Sequence, residues 1–261
     1  MGFLSDAVER IRKELERDPP REKTLLLRTR SAPPPLDLAA ALRAPGVSII
    51  GAIKRASPSA GEIAEVDAGD RVEAYERGGA AAVSVLTESR YFHGSLLDLR
   101  TARRRCTLPL LRNDFIVHPV QVIEARADGV VLIAAALTRN EVRDVIEVAH
   151  DLGMAAVLEA HSPADLEAAV TSDADVIEVS ARDPESWEVH TEAALDLVGR
   201  MPQGRLVALE GAISTRRQVV EAGQSGVDAV VVGEALMRSP DPTRTIRRLR
   251  GALTSVEGPG G

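Results

Sequence analysis

The chain has 261 residues, 44% of them hydrophobic but only 2% aromatic, and a net charge of −7. That is ample material for an aliphatic core. An acidic balance with no Lys/Arg run interleaved with aromatics excludes nucleic acid as the expected partner. Cys106 is the only cysteine, so an internal disulfide and a cysteine metal cluster are excluded, and it reads as a small buried hydrophobe.

The opening "MGFLSDAVERIRKELERD" is charged throughout and does not read as a signal peptide. Phe3, Leu4, Val8, Ile11 and Leu15 recur at helical spacing and predict an amphipathic helix. A polar stretch leads into "SAPPPLDLAAALRAPG", where three prolines break structure. There "LDLAAALR" reads as a short helix closed by Pro45-Gly46. Eight short apolar runs follow, at 47–53, 81–86, 108–112, 129–135, 155–160, 175–180, 205–211 and 228–234. Helical patterns such as "AGDRVEAYERGG", "RNEVRDVIEVAHDLG", "SPADLEAAVTSD" and "TRRQVVEAGQSG" separate them. Near-continuous apolar strands alternating with helices imply a parallel sheet buried on both faces. Eight such units in this length predict an α/β fold of the (β/α)8 TIM-barrel type with an extra N-terminal helical segment. No G-x-G-x-x-G follows the first run, which argues against dinucleotide binding. The expected organisation is one domain, with a helical extension over 1–46, the barrel over 47–250 and a fraying tail over 251–261. No run approaches the length of a membrane span, so a cytoplasmic protein is expected.

A barrel concentrates its chemistry at the C-terminal ends of its strands. Lys54, Glu159 and Glu210 stand there, in or just after apolar runs. Buried charge is costly unless it is used or paired. Either the three form a structural network, or they carry acid–base chemistry, with a carboxylate in a dry place able to exchange a proton. "EGAIST" and "VVGEALM" put small residues between the last two strands and their helices. Backbone N–H groups at Gly211, Ala212, Gly233 and Glu234 could there cradle a phosphate, or simply make turns. Arg182 could close on the same phosphate or pair with Asp183. Phe92 and Phe115, in a chain so poor in aromatics, could wall an aromatic-ring pocket or fill core.

From about Leu36 to Arg248 the chain resembles the indole-3-glycerol phosphate synthase family. The stretches that carry the resemblance are "IKRASPSAG", "AYERGGAAAVSVLTESRYFHGS", "LPLLRNDFIVHPVQVIEA", "GMAAVLEAH", "ARD" and "GVDAVVVGEALMRSPDP". It implies a barrel with an N-terminal helical segment that closes 1-(2-carboxyphenylamino)-1-deoxyribulose 5-phosphate to indole-3-glycerol phosphate. Carbon dioxide and water are lost, in tryptophan biosynthesis and without metal or organic cofactor. By the same resemblance Lys54 acts as an acid on substrate oxygens, and Glu159 and Glu210 handle protons and stabilise the cationic intermediate. Ser57, Pro58, Phe92 and Phe115 match the wall around the carboxyphenyl ring. Arg182, Gly211, Gly233 and Glu234 match the phosphate region. The expected partner is a phosphosugar bearing an aromatic amine, and the expected state a monomer or weak homodimer.

The chain departs from that pattern in informative places. Where the pattern has glutamate on the first strand stands Ala52, and where it has the ring-closing lysine stands Asn113. Ser180 replaces an asparagine, and "EGA" replaces "ESG". The segment from Gln121 to the fourth strand is about three residues short, which clips a helix end. An asparagine orients a carbonyl but delivers no proton. Three readings follow: a divergent synthase in which Lys54 covers the missing acid, a paralogue re-purposed to a related phosphosugar, or a non-catalytic phosphosugar-binding barrel.

Overall fold

A computed structural model describes residues 2–18, 22, 24–26 and 33–251 of the chain. Each of the eight apolar runs is a strand: β1 Ser48–Ile53, β2 Ala82–Leu86, β3 Leu110–Asn113, β4 Gly129–Ile133, β5 Ala155–Ala160, β6 Val176–Ser180, β7 Leu206–Glu210 and β8 Ala229–Val232. Consecutive strands pair in parallel, and β1 pairs with both β2 and β8, so the sheet closes into the expected barrel. The helices, in chain order, are α1 Phe3–Arg17, α2 Leu38–Leu42, α3 Ala68–Gly78, α4 Leu96–Arg103, α5 Pro119–Ala125, α6 Arg139–Asp151, α7 Pro163–Val170, α8 Thr191–Val198, α9 Arg216–Gln224, α10 Glu234–Met237 and α11 Pro242–Arg250. An antiparallel pair, Ala56–Ser57 with Gly61–Glu62, follows β1 at the mouth. The C-terminal tail lies almost wholly outside the described residues.

Most strand bounds shift from expectation by one or two residues, and two of the larger shifts have local reasons. β3 begins at Leu110 rather than residue 108, because Pro109 has no N–H to give a ladder. β4 stops at Ile133, and Ala134–Ala136 turns as a 3-10 helix. The short connection before β4 is made by a seven-residue α5, closed by Arg126 in the left-handed region at φ 49°.

Side chains alternate along each strand. One face packs Ile49, Val83, Val130, Leu158, Ile177 and Val230 against the helices. The other fills the barrel with Ile50, Ala82, Leu111, Val131, Val157, Val176, Leu206 and Val231. Gly51 lies where α3 comes closest, since a Cβ there would stand 2.4 Å from the Tyr75 ring, whose hydroxyl donates to the Ala52 carbonyl at 3.0 Å.

The bottom of the barrel carries a repeated device. The aspartate just before β4, β6 and β8 accepts the N–H of the preceding strand: Asp128 from Leu110 at 2.7 Å, Asp175 from Ala156 at 2.8 Å and Asp228 from Val207 at 2.8 Å. Asp128 also accepts from Leu36 N at 2.8 Å, which ties the N-terminal segment to this end, where Leu38 and Leu42 of α2 join the interior core. α1 lies at the opposite end. There Arg10 pairs with Glu88 beyond β2 at 2.7 Å, and Arg12 with Glu141 on α6 at 2.7 Å. The N-terminal segment thus plugs one end and roofs the other.

Candidate active site

The roof encloses a cavity of about 70 Å³ at the C-terminal ends of the strands. Lys54, Asn113, Phe92, Phe115, Glu159, Ser180, Arg182 and Glu210 all reach its wall, as do Phe3, Leu4, His161 and Trp187. The chain has three Phe, two Tyr and one Trp. All but Tyr75 gather over this mouth. Phe3 stacks edge-on against Tyr91 at 4.7 Å and Trp187 at 4.9 Å, and Phe92 lies 6.1 Å from Phe115. Phe92 and Phe115 line the pocket and also belong to the buried interior core. Asp114 sets Phe115 in place. Its carboxylate accepts from the Phe115 N–H at 2.9 Å, from Thr87 at 2.6 Å and from the buried Arg112 at 2.9 Å.

Lys54 is 9% exposed and Glu159 6%. Glu159 pairs with His161 at 3.1 Å. Burial opposes the Glu159 charge, but His161, Ser180 and Lys54 more than offset it and hold its carboxyl below the ordinary range. Burial likewise opposes charge on His161, yet Glu159, with Glu210 and Asp165, raises its pKa. Glu210 goes the other way. It lines the cavity, and burial, aided by Glu159, outweighs Lys54 and lifts its pKa. Two carboxylates a few ångströms apart are thus pushed in opposite directions, the arrangement that lets one serve as an acid and the other as a base. Ser180 Oγ lies 3.5 Å from Glu210, and the Asn113 amide donates to Ser84 Oγ at 3.3 Å. Ala52 is a buried small residue of the interior core.

Of the remaining expected residues, only Arg182 reaches the cavity wall; the others sit around it. Ser57 is buried in the short strand pair and accepts from Ala60 N at 3.1 Å, while Pro58 is exposed. Neither lines the cavity. Arg182 does not pair with Asp183. It donates to the Trp187 carbonyl at 3.0 Å and to Ser59 at 3.3 Å, spanning the mouth. Gly211 has φ +138° and Ala212 φ +49°, and a Cβ at Gly211 would meet the Ala181 Cβ at 2.5 Å, so glycine is required there. Gly233 backs onto Lys54, whose Nζ would lie 3.8 Å from a Cβ at that position. Glu234 turns to the surface and pairs with Arg238 at 2.8 Å.

Sequence reasoning passed over four residues of the site. His161 stands one residue past β5, and Glu178 lies mid-strand in the apolar run "DVIEVS". Glu178 bears the same signal that singled out Glu159, an ionisable group inside an apolar run. Phe3 read only as one helix face, and Trp187 falls in a loop without pattern; aromatic scarcity was the available signal for both.

Comparison with known proteins agrees with the geometry. The family model described as indole-3-glycerol phosphate synthase matches residues 4–249. A protein of that name from Mycobacterium avium (strain 104) is 41% identical over 223 residues, 84% of this chain and 82% of the relative. Another from Mycolicibacterium smegmatis is 40% identical over 226 residues, 85% and 83% of the two chains. Among solved structures, a thiamine phosphate pyrophosphorylase from Pyrococcus furiosus superposes with a TM-score of 0.59 at 17% identity, covering 82% of this chain and 96% of that one. A tryptophan synthase alpha-subunit from the same organism gives 0.59 at 16%, covering 78% and 98%. Those two likenesses speak for the fold alone. With a closed eight-stranded barrel, a roofed cavity at its C-terminal mouth and this level of identity over most of its length, the chain belongs to the indole-3-glycerol phosphate synthase family.

Proposed function

We propose that this protein closes 1-(2-carboxyphenylamino)-1-deoxyribulose 5-phosphate to indole-3-glycerol phosphate, releasing carbon dioxide and water. The observation that carries the reading is the convergence of Lys54, Glu159 and Glu210, from three strands, on one aromatic-walled cavity. The carboxyphenyl ring packs against Phe92 and Phe115. The phosphate lies toward Arg182 and the backbone turns at Gly211–Ala212 and Gly233, where the two last strands of a barrel commonly hold such groups. Ring closure needs an acid on the ketone oxygen as the ring carbon attacks. Lys54, in the cavity wall, serves as that acid. Attack leaves positive charge on the aniline nitrogen and ring, and the ionised Glu159 offsets that charge. Glu210, protonated more readily, donates to the hydroxyl that leaves as water.

Asn113 favours a second reading. It lines the cavity where the resemblance expects a lysine, and its amide holds Ser84 rather than a proton source. A re-purposed barrel for a related phosphosugar would keep the same phosphate and ring contacts.

Turnover followed by indole fluorescence separates the two. The wild type is expected to form product, Glu159→Gln and Glu210→Gln each to lose about 10²–10⁴ in kcat, and Asn113→Lys to gain rate. If only an Ala52→Glu, Asn113→Lys double variant forms product, the natural substrate is a different phosphosugar.

A further inference from the structure

The cavity floor rests on a carboxylate that no step above uses. Glu178 is 2% exposed and does not reach the cavity wall. It shares the interior face of β6 with Ser180 and stands in register between Glu159 on β5 and Ala208 on β7. One oxygen from each of Glu159, Glu178 and Glu210 lies within 4.8 Å of the others, a separation that one water can bridge. Glu178 Oε1 has no hydrogen-bond partner among the described residues. Cations serve the other two: Lys54 and His161 act on Glu159, and Lys54, Arg182 and His161 on Glu210. Among the described residues, the charged groups that act on Glu178 are the two carboxylates themselves. A third negative charge here is uncompensated.

The proposed reaction, on which this inference rests, supplies a use. With the substrate carboxylate ionised, loss of carbon dioxide and water takes up one proton net. Two protons go to oxygen, one onto the ketone and one onto the departing hydroxyl, and one comes back from the ring carbon beside nitrogen. Asn113 delivers none. We propose that Glu178 is a positioning residue that holds a reserve proton beneath the floor and restores Glu210 after it has protonated the leaving hydroxyl. The Glu178 O–H gives its proton to the Glu210 carboxylate, the ring-carbon proton returns to one of the trio, and solvent supplies the remaining proton between turnovers. Burial, then the charges of Glu159 and Glu210, hold the Glu178 carboxyl well above the ordinary carboxylate range, in support.

The test compares Glu178→Gln with the wild type in two assays. The first is the thermal midpoint across pH 5–9. A carboxyl whose folded pKa is raised stabilises the fold below its unfolded value of 4.5 and loses that stabilisation as pH rises. Glutamine cannot ionise, so the variant is expected to match the wild type near pH 5 and to gain on it steadily toward pH 9. The second is turnover. A fall of about 10–100-fold in kcat, with KM unchanged and the alkaline limb moved to lower pH, is expected of a lost proton relay. A variant that is less stable at every pH, with a wild-type midpoint lowered by a metal chelator, would show an ionised Glu178 holding a cation and overturn the proposal. Unchanged kcat would overturn it too, by leaving the proton without a role. If the wild type makes no product at all, it is the proposed reaction that fails, and the midpoint assay still decides whether Glu178 keeps its proton.

Discussion

His161 decides how Glu159 behaves. Its ring nitrogen sits 3.1 Å from the carboxylate and is a main reason that carboxyl stays ionised in a buried place. Replacing it with asparagine removes the offset and leaves burial, so the Glu159 pKa rises. The acidic limb of the kcat/KM profile should then move to higher pH, while KM changes little; an unmoved limb would mean that Lys54 and Ser180 suffice. Lys54, Glu159 and Glu210 were legible beforehand because ionisable groups in apolar runs are expensive and therefore conspicuous. What residue-level reading did not supply was their division of labour. Glu159 and Glu210 look alike in sequence, and only the neighbours delivered by other strands push one down and the other up.

At the scale of elements, α1 is the part whose place no local pattern specifies. An amphipathic helix needs a surface to cover, and its periodicity says which face is covered but not by what. Here Phe3 and Leu4 fill the barrel mouth beside Trp187. The cavity of about 70 Å³ is well below the roughly 300–1,000 Å³ of ordinary ligand sites, and a shift of α1 is expected when a phosphosugar anilide enters. Trp187 is the chain's sole tryptophan and reports this directly. Phe3→Ala should shift Trp187 emission to longer wavelength and raise its quenching by acrylamide. The same emission should respond to acid. Glu141 has its pKa lowered to about 2 by Arg12, which anchors α1 to α6. A lowered pKa stabilises the contact above the ordinary value of 4.5, and that support is lost as pH falls toward about 2. Arg12 is exposed and Glu141 only partly buried, so screening keeps the contribution below about 1 kcal/mol. The shift is therefore expected as a gradual change, absent in Arg12→Ala.

For the whole molecule, stability and chemistry lie at opposite ends of one barrel. The aspartates before β4, β6 and β8 satisfy strand N–H groups at the bottom, about as far from the mouth as the strands allow. Asp228→Ala orphans the buried Val207 N–H and should cost about 1–3 kcal/mol in urea unfolding, with kcat preserved. A parallel loss of activity would show that the two ends are coupled. The eight strands, their helices and the barrel they close were determined by sequence alone, because apolar runs of strand length spaced by amphipathic helices admit few other ways to bury both sheet faces. The identity of the strand-end ionisable residues was determined with them, since register follows from the alternation. Only the tertiary structure decided that Ser57 and Pro58 stay out of the cavity, that Arg182 spans the mouth instead of pairing with Asp183, and that Glu178 stands in register with Glu159 and close to Glu210 with no cation acting on it among the described residues. These are outcomes of distances between residues far apart in the chain, and electrostatic energy in a dry interior depends on those distances, which no local pattern encodes.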